Sequence, residues 1–137
     1  MKKILLSAVT PAILLSATFA NAGEFTSLFY EIVEARDSLI TFAKNKDKQG
    51  TNQQKLVIDT AHTVSTIISN MRAPAGKEVE FNEMLELWAE FRYTREEELI
   101  PLILSGNEKD ALSIAMGLQK RRLNKVLTLC DTLDQSQ

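Results

Sequence analysis

One cysteine and one histidine are all that this 137-residue chain carries of two chemically loaded side chains. Each scarcity excludes something. A lone Cys130 cannot close an internal disulfide even in an oxidising compartment, so stability has to come from packing. With His62 as the single imidazole, neither the Glu-x-x-His pairs of di-iron bundles nor the three or four clustered ligands of a zinc site can be assembled. Covalent haem needs Cys-x-x-Cys-His, and Cys130 is followed by Asp131, Thr132 and Leu133. A non-covalent haem would pair His62 with Met71, Met84 or Met116, yet methionines at helical spacing usually fill cores. No cofactor is expected, and a cytochrome-like haem electron carrier remains the alternative. No serine or cysteine has a histidine partner in a recognisable context, which argues against an enzyme of the nucleophilic kind. A basic face is also lacking: 16 bases are interleaved with 18 acids, so nucleic acid is not an expected partner.

Long apolar runs are equally scarce. The one present follows Lys2 and Lys3, extends from Ile4 to Phe19 and ends in Ala20-Asn21-Ala22, the small-x-small pattern of a signal-peptidase site. Residues 1–22 therefore read as a signal peptide cleaved after Ala22, with retention as an anchor the alternative. The remainder, residues 23–137, is one domain's worth of soluble, periplasmic protein. Without Lys2 and Lys3, 14 bases face 18 acids and the domain is mildly acidic.

What is abundant is heptad spacing. Phe25, Leu28, Ile32, Ala35, Leu39 and Phe42 mark one helix face, and Val57, Ala61, Val64, Ile68 and Met71 mark a second. Phe81, Met84, Trp88 and Phe91 open a third. A fourth, from about Glu108 to Leu133, places Leu112, Ala115, Val126, Leu129 and Leu133 on one side. The polar stretch from Lys44 to Thr51, Ala73-Pro74-Ala75-Gly76 and Ser105-Gly106-Asn107 separate them. The expected fold is all-α, an up-down-up-down antiparallel four-helix bundle.

The third seam interrupts itself. Continued past Phe91 in FRYTREEELIP it lands on Arg95, Glu98 and Leu102, while the fourth passes through Gln119 and Arg122. Both seams turn polar together. Counted from Gly106, Arg95 lies level with Gly117, so these positions are expected to form one layer where Gly117 admits a close neighbour or ligand. A buried guanidinium calls for an anion. Glu98 or Asp37 could supply it internally, or an external carboxylate could occupy the planar fork. Pro101 would free the carbonyl of Glu97 and bend the helix. His62 falls beside the seam, pointing outward.

From Leu87 to Leu133 the sequence resembles the third and fourth helices of the four-helix-bundle sensor domains of methyl-accepting chemotaxis receptors. The pattern is carried by Thr94, Arg95, Ile100, Pro101, Gly106, Ala111, Ala115, Gly117, Gln119 and Arg122. The resemblance implies an extracytoplasmic module that binds small solutes, often as a homodimer, with Thr94, Arg95, Gln119 and Arg122 as ligand-binding candidates. Those receptors continue into a second membrane span, whereas this sequence runs to Gln137. The expectation is a sensor-like module that holds a small carboxylate and presents it to a membrane receptor partner, or a bundle used purely for protein interaction.

Overall fold

The computed structural model describes residues 5–45, 47 and 50–135, with side chains from Gly23 onward. The expected signal peptide lies, in residues 1–4 and in all its side chains, outside the described residues. Among the described residues the regular structure is helical and forms four rods. The first is α1, Leu5–Lys44, and the second is α2, Thr51–Ser69. The third consists of α3, Glu78–Thr94, a π-helical segment, Arg95–Leu99, and α4, Ile100–Leu104. The fourth is α5, Glu108–Met116, followed across Gly117 by α6, Leu118–Asp134. No helix among the described residues is long and apolar enough to cross a membrane.

Most heptad positions do what their spacing predicts; Ile68, Leu112 and Met71, which lies past the end of α2, are only partly buried. Phe25, Leu28, Ile32, Ala35, Leu39 and Phe42 are all buried, as are Val57, Ala61 and Val64 of α2 and Phe81, Met84, Trp88 and Phe91 of α3. Each large side chain so buried contributes about 1.5–3 kcal/mol. Aromatic packing adds to this, with Trp88 stacked on Phe91 at 5.6 Å between ring centroids and Phe25 edge-on to Phe81 at 6.0 Å. The third rod ends in a Schellman turn. Asn107 N–H donates to Leu102 O at 2.8 Å and Gly106 N–H to Ile103 O at 3.1 Å. Gly106 there adopts a φ of 87°, where a side chain would be strained.

Contacts between rods pair residues in opposite numerical order. On the first and fourth, Phe25 meets Asp134 and Arg36 meets Met116; on the third and fourth, Glu83 meets Lys125 and Phe91 meets Gln119.

Two apolar cores result. The larger holds Phe25, Leu28, Ile32, Ala61, Val64, the α3 aromatics and the second half of α6. The smaller holds Leu39, Phe42, Val57, Leu99, Ile103, Ala111 and Ala115. On every rod the changeover falls at a polar residue: Ser38, Thr60, Thr94 with Arg95, and Gln119. Of these, Ser38, Thr94, Arg95 and Gln119 are buried. The expected polar layer is therefore present, and it separates one core from the other.

Candidate functional site

The layer begins with a change of helical pitch. Ile100 N–H donates to Arg95 O, five residues back, instead of to the carbonyl four back. Pro101 explains why the wide turn sits there. It has no N–H to give, and its ring would clash with the carbonyl of Glu97 in a regular α-helix. The sequence predicts a bend at this point; the structure resolves the conflict with a π segment instead. The extra residue in the turn displaces the seam by one, so Leu99 and Ile103 are buried and Glu98 is exposed. The expectation that Glu98 and Leu102 continue the seam is corrected accordingly.

Arg95 points from this segment toward α1 and α2 and is 0 % exposed. Its Nη1 donates to Ala35 O at 2.6 Å and its Nη2 to Val57 O at 2.6 Å. The hydroxyls of Ser38 and Thr60 lie 3.3 Å from Nη2, and Ser38 and Thr60 are 3.1 Å from each other. No carboxylate takes part. Asp37 is exposed and lies 3.5 Å from Arg36, so neither acid proposed from sequence neutralises this guanidinium. Carbonyl dipoles do so instead, leaving Nε without a hydrogen-bond partner. Burial lowers the Arg95 pKa from its ordinary value to about 10, with Glu96 opposing and Arg92 adding to the shift.

Thr94, Gln119 and Arg122 gather on the other side of the third rod. Arg122 Nη1 donates to Thr94 Oγ1 at 2.8 Å, to Gln119 Oε1 at 2.9 Å and to Glu90 O at 3.3 Å. Gln119 Nε2 donates in turn to Phe91 O at 2.8 Å. Because Gln119 is buried and its carbonyl is aimed at Arg122, the guanidinium is held from beneath. Its Nε lies 3.7 Å from the exposed carboxylate of Glu90. The Arg122 side chain is 19 % exposed, and it lines an open cleft of about 410 Å³ with Ala89, Glu90, Tyr93, Thr94 and Glu98. A larger hollow of about 500 Å³, lined by Glu97, Glu98, Pro101, Leu102 and Ser105, presents two acids and no base.

Of the four candidates, Thr94 and Arg122 line the cleft, Gln119 is buried beneath Arg122, and Arg95 stands apart with α1 and α2. Gly117 also differs from expectation. A Cβ there would meet Ser113 O at 3.1 Å, so the missing side chain accommodates its own preceding turn, where α5 gives way to α6. Sequence reasoning missed Ser38 and Thr60. Their signal was available, since each flanks a seam position where Arg95 requires acceptors. It also missed a second bracket, in which Ser65 Oγ accepts from Trp88 Nε1 at 3.1 Å and from Arg92 Nη1 at 2.7 Å. His62 lies exposed on α2. Cys130 is fully buried against Met84, with its sulfur 3.8 Å from the thioether, and burial pushes the thiol up to about 12. Among the described residues no group of three or more His, Cys, Asp or Glu could hold a metal ion. No protein-family model, curated protein or solved structure matches the chain.

Proposed function

We propose that the protein is an exported, up-down-up-down antiparallel four-helix bundle that binds a small carboxylate at Arg122 and presents it to a membrane signalling partner in the periplasm. The opposite numerical order of the inter-rod contacts supports the topology. The signal-peptide pattern of residues 1–22 supports export. One observation carries the binding reading: the pre-oriented guanidinium of Arg122 at the mouth of the cleft, held by Thr94, Gln119 and Glu90 O.

With Nη1 engaged by the protein, the edge formed by Nε and Nη2 is the one that a carboxylate can grip through two parallel hydrogen bonds. Glu90 holds that edge loosely, at 3.7 Å, and an incoming carboxylate displaces it. The displaced Glu90 and nearby Glu98 then line the same cleft. Two acids beside one base disfavour a polyanion and suit a carboxylate that also carries a cationic group. Thr94 and Arg95 are consecutive residues, so a pull on Thr94 is felt at the carbonyls of Ala35 and Val57. The π segment begins at Arg95, directly after Thr94, and offers a route from an occupied cleft to a shift of α1; such segments often mark functional positions.

A thermal-shift screen of amino acids and small organic acids tests the reading. At least one should raise the melting temperature of the wild type and leave Arg122→Ala unmoved, since only a protein that binds is stabilised by mass action. Glu90→Gln should bind the same compound more tightly by removing the competing acid. A screen in which no carboxylate moves the wild type would remove the basis for the binding role.

A further inference from the structure

The carboxylate of Asp134, at the end of α6, is bonded to backbone amides of α1. Phe25 N–H donates to Asp134 Oδ1 at 2.9 Å and Thr26 N–H to Oδ2 at 2.9 Å, and the Thr26 hydroxyl also donates to Oδ2. In the interior of an α-helix those two amides donate to the carbonyls of residues 21 and 22, and α1 runs unbroken through them from Leu5, so the bonds to Asp134 are acceptors beyond those a helix interior needs. Only near a helix start do successive N–H groups need acceptors from elsewhere.

In a chain cut after Ala22 the spacing fits such a start. An N-cap side chain accepts from the second and third residues of its helix. If Phe25 and Thr26 are those residues, Glu24 is the first and Gly23 is the cap. Glycine tolerates this position but brings no acceptor of its own. We infer that the packed part of α1 begins at Gly23, with Asp134 as a cap supplied from the far end of the chain, so that cleavage after Ala22 exposes an α-amino group beside a carboxylate built to receive it.

Two further observations fit. Glu24 has its carboxyl pKa raised by partial burial and then by the charge of Asp134, so two acids crowd this end. An α-ammonium at Gly23 would supply the missing positive charge. A carboxylate at a helix start is also favoured by the helix dipole. Phe25, one of the bonded residues, and Leu133, next to Asp134, are both fully buried, so the contact closes that end of the larger core. Removal of the leader and completion of the bundle then become one event: the new terminus is captured by the last turn of the last helix.

The inference rests on the export reading and can fail independently of it. The full chain is expressed, the exported product is recovered, and its amino terminus is determined by intact mass. Native-state amide exchange is then compared between the wild type and Asp134→Asn, with Thr26→Val as a milder variant that removes only the hydroxyl. Gly23 should be the first residue. Asp134→Asn should accelerate exchange at Phe25 and Thr26 about tenfold or more, while amides of the smaller core such as Leu99 change little, and Thr26→Val should have a lesser effect at the same two amides. A protein that keeps Met1, or is cut well away from Gly23, would overturn export and this inference together. A product starting at Gly23 whose Phe25 and Thr26 amides are indifferent to Asp134→Asn would overturn the cap and leave export standing.

Discussion

Arg95 and Arg122 belong to one polar band and share one side-chain chemistry, but they face opposite sides of the third rod with opposite results. Arg95 is enclosed by α1 and α2, and its charge is spread over carbonyl and hydroxyl dipoles that the fold fixes in place. Arg122 is tethered by one nitrogen and reaches solvent with the remainder. The difference lies in what surrounds the charge. A guanidinium that meets helix carbonyls on two neighbouring rods has no need of a ligand, and no ligand could reach it. One held by an amide from below and loosely by a surface acid retains an edge to offer. The inner arginine is a fastener between rods, and the outer one is the receptor group of the proposed function.

The largest test of this contrast is Arg95→Ala. It removes a fully buried long side chain and leaves Ser38 and Thr60 without their donor, so it should cost about 3–5 kcal/mol of unfolding free energy in a denaturant titration. Arg95→Met keeps the stem and drops the charge, and should recover much of that loss. If Met instead proved as costly as Ala, the charge itself rather than packing would be holding the rods.

Gln119→Ala comes next, at about 1–2 kcal/mol, because it removes a buried donor from Phe91 O and an acceptor from Arg122. Arg122→Ala should fall below about 1 kcal/mol, as expected of a group whose ion pair is long and whose partner is exposed. A cost for Arg122→Ala that matched Arg95→Ala would erase the distinction between the two sides.

The smallest effect is in alkaline pH. Arg95 releases its proton at about 10 in the folded protein, well below its ordinary value. Between those values the unfolded chain holds more protons than the folded one, so this group adds stability as pH rises through about 10. Relative to Arg95→Met, the wild type should gain a few tenths of a kcal/mol between about pH 9 and 10, read from paired melts.

Much of this was legible in the sequence because heptads report which face is buried. The seams of α1 and α3 follow directly from Phe25 to Phe42 and from Phe81 to Phe91. The coincidence of polar positions on two seams likewise locates the band, including buried Gln119. Two things escaped. A π turn inserts a residue without any hydrophobic signature, so a strict heptad count assigns Glu98 to the place that Leu99 occupies. And a periodic pattern identifies a buried arginine without specifying its acceptors, because backbone carbonyls are the same in every sequence. That is why an anion looked necessary for Arg95 when helix dipoles suffice.

Cys130 gives the molecule a clock. It is the sole thiol, it is buried without exposure beside Met84, and its high pKa keeps it protonated. Alkylation therefore requires the larger core to open, and each labelled molecule records one opening. The labelling rate of any variant, followed by mass spectrometry, would rank opening frequencies on a single scale and reveal whether a bound carboxylate slows the same breathing that loss of Arg95 hastens.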